Sequence, residues 1–314
     1  MLNRVKHIFS ALGILLLLSS CDATIHEYPS ESSIVLTVDG TINDVKPEFF
    51  ITVECDAKNG TSYIVRTQSM KPENTRFDEP YKLRYIVDLY RVIASHSEFV
   101  ERKVHIVDPQ DAEYNKLPTT QFDVVASEYK VLVWCDYITG DDLNESYCYQ
   151  TDDLRNIRYN DIEVVDNNLK DAFTAVSNIN LRDYKSTLTG VYDIDEHIIL
   201  ERPNGVMKCV TTDIKEYLSA NDVDEITCVM TYTQYVAAGY SVEEQKPNYF
   251  EIERNFTTTV PAREFDTNNE LVVCRDYVFV NGKQTNVKIN MKFYNGRVSF
   301  SGDTLVREDG SIAT

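Results

Sequence analysis

The sequence predicts a mainly β protein, antiparallel and sandwich-like, with a few short helices. Three observations carry that expectation. Apolar and polar side chains alternate with a period of two through most of the chain from Ile34 onward. The alternating runs end at Gly, Pro, Asn or Asp, the residues that make tight turns. Stretches with helical periodicity are rare and short, so a parallel α/β sheet, with a helix between successive strands, is not expected.

In chain order, the first element is not part of the fold. Arg4 and Lys6 precede an apolar run from Ile8 to Leu18, and Ser19-Ser20-Cys21 closes it. That run is too short to span a bilayer, which takes about 20 apolar residues, and it reads as a secretory signal. Leu18-Ser19-Ser20-Cys21 resembles the bacterial lipobox. The resemblance implies cleavage between Ser20 and Cys21, with a diacylglycerol and a further acyl chain carried covalently on Cys21; no cofactor is expected. Each buried methylene contributes about 0.8 kcal/mol, so two or three chains hold a protein firmly on a membrane. Residues 1–20 are thus a lipoprotein signal peptide, and the polar stretch 21–33, with Pro29, a flexible leash.

Strands follow. Ile34 to Asp39 is expected to end at Gly40, and Phe49 to Cys55 to end near Asn59-Gly60. Tyr81, Leu83, Tyr85, Val87 and Leu89 alternate with Lys82, Arg84 and Asp88, the pattern of a half-buried strand. Tyr129 to Tyr137 is apolar on both faces, as a central strand is, with Trp134 in the core. Asn115 to Thr120 gives no regular signal. Leu271 to Val280, Val287 to Phe293 and Val298 to Ser301 are separated by Asn281-Gly282 and Asn295-Gly296, which predicts a three-stranded antiparallel meander with type I′ turns. Two short helices are expected. One follows the capping box Asp213-Ile214-Lys215-Glu216, and the other, Asn167 to Val176, sets Leu169, Phe173 and Val176 on one face.

Beyond the signal, 294 of the 314 residues remain, enough for two domains of ordinary size. Glu201-Arg202-Pro203-Asn204-Gly205 is the expected boundary, giving domains at 34–202 and 203–314. A net charge of −19 argues against a nucleic-acid partner, which needs clustered Lys and Arg. A hydrophobic content of 43% and 20 tyrosines argue equally against disorder.

Candidate chemistry is sparse. Six cysteines besides Cys21 (Cys55, Cys135, Cys148, Cys209, Cys228 and Cys274) contain no C-x-x-C and allow 15 pairings. Several sit inside apolar runs, which favours buried thiols over a disulfide framework. His26, His96, His105 and His197 stand at no metal-ligand spacing, and no metal site is expected. Neither a nucleophile elbow nor a phosphate-binding loop occurs, so no catalytic residue is assigned and the chain is not expected to be an enzyme. The acidic runs Asp141-Asp142-Leu143-Asn144-Glu145 and Asp193-Ile194-Asp195-Glu196 lack the central glycine of a calcium loop and read as solvated turns. Asp303-Thr304-Leu305 matches a short O-glycosylation pattern, making Thr304 a candidate acceptor.

Several segments together carry a wider resemblance: Cys21, Leu83 to Tyr90, Tyr129 to Tyr137, Lys170-Asp171-Ala172-Phe173, and Glu201-Arg202-Pro203 leading to Thr212-Asp213. They are similar to a family of fimbrillin-like lipoproteins of Bacteroides-type bacteria, relatives of minor-fimbrial anchor proteins. The resemblance implies two tandem transthyretin-like β-sandwiches, lipid-anchored in the outer membrane at the cell surface, with partners joined by strand addition. No basic residue lies between Cys21 and Lys46, so a lipid-retained anchor, accessory or adhesin-like subunit fits better than a processed shaft subunit. The expected partners are the membrane, through the lipid, and fimbrial subunits or host surface ligands. The alternative is a surface glycan- or nutrient-binding lipoprotein, which would show exposed tyrosines or an exposed Trp134.

Overall fold

The computed structural model describes residues 34–43, 48–56, 60–67, 82–108, 115–138, 148–160, 168–184, 191–211, 224–233, 235–251, 255–261, 271–280 and 289–313. Nearly all of them lie in strands. The first are β1 (Ile34–Ile42), β2 (Glu48–Asp56), β3 (Gly60–Thr67), β4 (Lys82–Ile93), β5 (His96–Val107), β6 (Lys116–Val124) and β7 (Glu128–Ile138). Then come β8 (Tyr149–Gln150), β9 (Ile157–Tyr159), β10 (Phe173–Asn180), β11 (Tyr192–Leu200), β12 (Asn204–Thr211) and β13 (Glu225–Tyr232). The rest are β14 (Val236–Ser241), β15 (Lys246–Glu251), β16 (Asn255–Pro261), β17 (Leu271–Phe279), β18 (Ile289–Asn295), β19 (Val298–Ser301) and β20 (Thr304–Arg307). A mainly β fold is what the alternation predicts.

The centre of the molecule is the sheet β10-β7-β4-β5, antiparallel throughout. Its two inner strands, β4 and β7, are buried on both faces. On one face Leu83, Tyr85, Val87 and Leu89 of β4 and Val131, Val133 and Cys135 of β7 join Ile34, Leu36, Val38, Leu117 and Phe122 in one core. The last five belong to the sheet β11-β1-β6. On the other face Ile86, Leu132 and Trp134 meet the sheet β15-β14-β9-β8 and the end of β17. Trp134 packs edge-on to Tyr149 with centroids 5.1 Å apart, and Phe279 stacks on Tyr159 at 4.8 Å and on Tyr240 at 5.4 Å. Each such aromatic contributes about 1.5–3 kcal/mol by burial and each pair about 0.5–1.5 kcal/mol more. The core is therefore three sheets deep.

Two sheets join strands from both sides of residue 203. β12 pairs antiparallel with β17 and parallel with β2, Val206 opposite Glu48, and β14 pairs with β9, Gly239 opposite Arg158. Buried polar contacts tie the same segments together. Lys170 Nζ lies 2.7 Å from Asp276 Oδ1, and the Tyr232 hydroxyl donates to Asp276 Oδ2 at 2.7 Å. Tyr159 donates to the carbonyl of Tyr277 at 2.9 Å, and Asn204 Nδ2 to that of Lys170 at 2.8 Å. The remaining sheet is β16-β13-β18, with the β19-β20 hairpin packed on it through Val229, Val298 and Ala313.

Five expectations need correction or completion. Gly40 does not end β1. It sits inside the strand beside a bulge, and a Cβ there would lie 2.5 Å from the Ile198 carbonyl oxygen, so the residue is glycine because β11 approaches that closely. β4 is not half-buried: Arg84 and Asp88 on its polar face are as buried as its apolar residues. The meander does not form, because β17 pairs with β12, β18 with β13 and β19 with β20. At Asn295-Gly296 only Gly296 takes positive φ, +75°, so the step is not a type I′ turn, and it carries the chain away from β18 instead of back along it. Asn281-Gly282 lies outside the described residues.

The helix expected over Asn167 to Val176 does not form: from Asn168 on the chain is a 3₁₀ turn, Asn168–Lys170, followed by strand β10, because Phe173-Thr174-Ala175-Val176 favours a pleated, covered position beside β7. Lys116 to Val124 is a strand that the sequence hides. Pro118 falls where the register with β1 skips from Leu117 to Thr120, a bulge on an edge strand, where a missing N–H is tolerated. The capping-box helix at Asp213, like the signal, Ser20, Cys21 and the leash, lies outside the described residues.

Candidate interaction surfaces

Among the described residues, the longest unpartnered strand edge is the outer edge of β5. A tight turn, with Ala94 at φ 53°, folds β5 back on β4. Among the described residues no strand pairs with the other side of β5. Leu89 faces Glu101 while Tyr90 faces Phe99, so Val100 is a bulge residue, and it and Phe99 are 44% and 56% exposed. Phe99 leans edge-on against Tyr90, centroids 5.6 Å apart. Beyond the bulge, Glu101–Val107 runs in regular register, an edge of about 23 Å at 3.3 Å per residue. A bulge and charged side chains are the usual protection of such an edge against indiscriminate pairing. Here they leave the second half straight.

The inward contacts of β5 hold it in place. Arg102 grips the buried Asp88 carboxylate with two hydrogen bonds of 2.6 and 2.7 Å and also donates to the Thr151 carbonyl at 3.0 Å. Burial raises the Asp88 carboxyl above the ordinary range, and the bond from Arg102 offsets this in part. Lys103 lies 5.4 Å from the Phe122 ring centroid, and His105 Nε2 is 2.8 Å from the Thr120 hydroxyl. Burial, with the charge of Lys103, lowers the His105 pKa.

A second surface is the outer face of the sheet β15-β14-β9-β8. Gly239 stands opposite both Arg158 and Tyr249. With no side chain there, the Arg158 guanidinium lies across β14 and covers the Tyr249 ring at 4.3 Å, donating to Asn248 Oδ1 at 2.7 Å. A Cβ on Gly239 would lie 2.2 Å from Arg158 Nη1, so the glycine makes the slot. Tyr249 and Phe250 are both exposed.

The third is a cleft of about 470 Å³ at the β1 bulge, lined by Asp39, Thr41, Lys116, Thr119 and His197 among others. His197 Nδ1 contacts Asp39 Oδ1 at 2.6 Å, both side chains half exposed. Among the described residues, Asp39 is the one carboxylate that lines the cleft.

The other residues singled out from sequence fall as follows. Trp134 is fully buried, in line with a core role. Thr304 is exposed at the start of β20, just past the turn at Gly302 (φ 60°). His96 is exposed at the β4–β5 turn. Asp193 and Asp195 are exposed along β11, while Glu196 accepts a 2.6 Å hydrogen bond from Ser177. Among the described residues no three His, Cys, Asp or Glu side chains converge as for a metal. Cys135, Cys148 and Cys228 are buried free thiols. His26 and Asp141 to Glu145 lie outside the described residues. None of the three surfaces was visible in the sequence. The nearest signal is Ser97 to Lys103, where polar and charged residues outnumber the apolar pair Phe99-Val100.

No curated protein matches the chain. Among solved structures, the chain is similar to a candidate adhesin from Bacteroides ovatus at 11% identity, with 89% of this chain and 83% of that one covered and a TM-score of 0.41. A second candidate adhesin from the same species gives 9% identity, 86% and 81% coverage and a TM-score of 0.39. Both likenesses are too loose to carry an argument. A family model matches residues 42–306, and the chain belongs to that family, a family of unknown function, DUF6562.

Proposed function

We propose that this chain is a lipid-anchored protein of the outer membrane surface that works without catalysis, as a fimbrial anchor, accessory or adhesin-like subunit contacting its partner through a sheet edge. The supporting observation is β5, a 12-residue strand held rigidly on one side and unpaired on the other among the described residues. An added strand would satisfy its outward backbone groups, and Phe99 and Val100 would supply apolar contact beside them. The lipobox-like Leu18 to Cys21 supplies the anchor: cleavage after Ser20 and acylation of Cys21. Thr304, exposed at a hairpin, is the proposed glycan acceptor.

The test is purification of the native protein from membrane extracts under mild detergent. Co-purification with fimbrial subunits, and an N-terminal peptide carrying diacylglycerol on Cys21, are the expected results. A lone monomer in the extract would end the assembly role, and an unacylated Cys21 would end the anchor.

A second reading, a glycan-binding surface protein, has one observation in its favour: the exposed Tyr249 ring with Arg158 fixed across it and Asn248 alongside. Buried Trp134 removes its other candidate platform. Binding on a glycan array that disappears in Tyr249→Ala would favour this reading over the first.

A further inference from the structure

Arg84, Arg102, Arg155 and Arg202 share one habit. Each turns the Nε–Nη2 side of its guanidinium to an aspartate, Asp136, Asp88, Asp153 and Asp171 in turn, and closes a two-pronged pair at 2.6–3.2 Å. That side presents two parallel N–H groups whose spacing matches the oxygens of a carboxylate. Arg158 is held by other means. Its Nη1 donates to Asn248 Oδ1 at 2.7 Å and to the Ile157 carbonyl at 3.3 Å, and its guanidinium lies over the Tyr249 ring, 4.3 Å from the centroid. Gly239 keeps this seat open, since a Cβ there would lie 2.2 Å from Nη1. Among the described residues nothing accepts from Arg158 Nε or Nη2, and both atoms reach solvent. In a chain with 50 acidic residues, this one fork among the five stands without a carboxylate.

We propose that Arg158 receives the carboxylate of an acidic sugar, its Nε and Nη2 each donating to one carboxylate oxygen. This rests on the glycan-binding reading above and narrows it to one class of ligand. The tether at Nη1 and the contact with Tyr249 fix the fork before a ligand arrives, so little side-chain freedom is lost on binding. The surroundings favour a sugar as the bearer of the carboxylate. Asn248 Nδ2 points to Asn156 Oδ1 at 3.4 Å, and these two exposed amides set a donor, Asn156 Nδ2, beside acceptor oxygens, the mixture that sugar hydroxyls use. The Tyr249 ring, 41% exposed, adds an apolar surface next to them. A phosphate, with more charge, calls for a second cation, and the neighbouring Arg155 is already closed on Asp153.

The purified full chain is applied to an array of uronic- and sialic-acid glycans, their neutral counterparts, and a hexaglutamate peptide. The expected hits are glycans that carry a carboxylate. Converting the carboxyl of a hit to its amide should weaken binding at least about tenfold, the ordinary cost of a two-pronged hydrogen bond to a charged group. This comparison changes the ligand alone, so it holds whether or not a variant folds. Arg158→Lys keeps the positive charge but not the fork, and should bind acid and amide forms within about threefold of each other. Its urea midpoint, unchanged from wild type, would show that the fold is intact. Neutral hits, or acid and amide bound equally by the wild type, would overturn the carboxylate site while the glycan reading stands. Binding to hexaglutamate without binding to any glycan would overturn both, as would an array with no hits.

Discussion

β4 and β5 are hydrogen-bonded neighbours of the same length, 12 residues each, joined by a two-residue turn, yet one is buried and the other only partly covered. Their sequences do not announce the difference. β4 carries Lys82, Arg84, Asp88 and Arg91, and β5 carries Glu98, Glu101, Arg102 and Lys103. What separates them is what lies beside each charge. Arg84 and Asp136 face one another across β4 and β7 and form a two-pronged pair at 3.0 and 2.7 Å, each about 1% exposed. Asp88 is met by Arg102 from β5 itself. The charges of β4 are thus satisfied internally, which lets a third sheet close over them. On β5, Glu98 and Glu101 face water, while Arg102 turns inward to Asp88. Alternation reports that a strand has two faces, and pairing decides whether the polar one is wet.

The sharpest way to break this comparison is to unpair β4. Asp136→Ala should cost about 3–5 kcal/mol in denaturant unfolding, because it removes the carboxylate that the buried Arg84 guanidinium holds with two hydrogen bonds. The double change Arg84→Met with Asp136→Leu should recover most of that loss. Failure to recover would mean that the pair does more than satisfy itself.

Next in size is Gly40→Ala, expected to cost about 1–3 kcal/mol, since the new methyl meets the Ile198 backbone and not a movable side-chain tip. A cost below about 0.5 kcal/mol would show that β11 is free to shift away from β1.

Arg102→Met sharpens the link between the two strands through pH. The Asp88 carboxyl is already raised by burial, and losing Arg102 raises it further. A carboxyl with a raised folded-state pKa contributes stability that is fully present below its unfolded value, 3.8, and is lost as pH rises through its folded value. Urea midpoints should therefore show the variant's deficit against wild type growing as pH rises from below 3.8 towards 7. A deficit independent of pH would mean that Arg102 acts by packing alone.

The smallest effect is expected at the exposed strand. Phe99→Ser should change stability by less than about 0.5 kcal/mol, because Phe99 makes only an edge contact with Tyr90 and is more than half exposed. A large loss would make β5 part of the core instead of a working surface.

How far the chain could be read from its sequence follows the same division. β7 was legible because Val131, Leu132, Val133 and Trp134 are apolar on both faces, a pattern that only a central strand satisfies. The burial of β4 was not legible, since the partner of Arg84 lies 52 residues away. β6 was hidden by Pro118, which reads as a breaker until the bulge beside it is seen. The C-terminal strands were found but joined wrongly. An Asn-Gly step marks a turn without saying which sheet the next strand enters, and Thr227, donating to the Gly296 carbonyl at 2.8 Å, helps to fix a different path. The candidate surface was the least legible of all, because an open edge is a property of absent neighbours.

Hydrogen exchange on the native protein, alone and in complex with the fimbrial subunits that co-purify with it, bears most directly on the proposed role of β5. Amides of His96–Val107 should slow markedly in the complex while those of Lys82–Ile93, already sealed between β5 and β7, stay as they were. Unchanged exchange along His96–Val107 in a complex that does form would contradict the account.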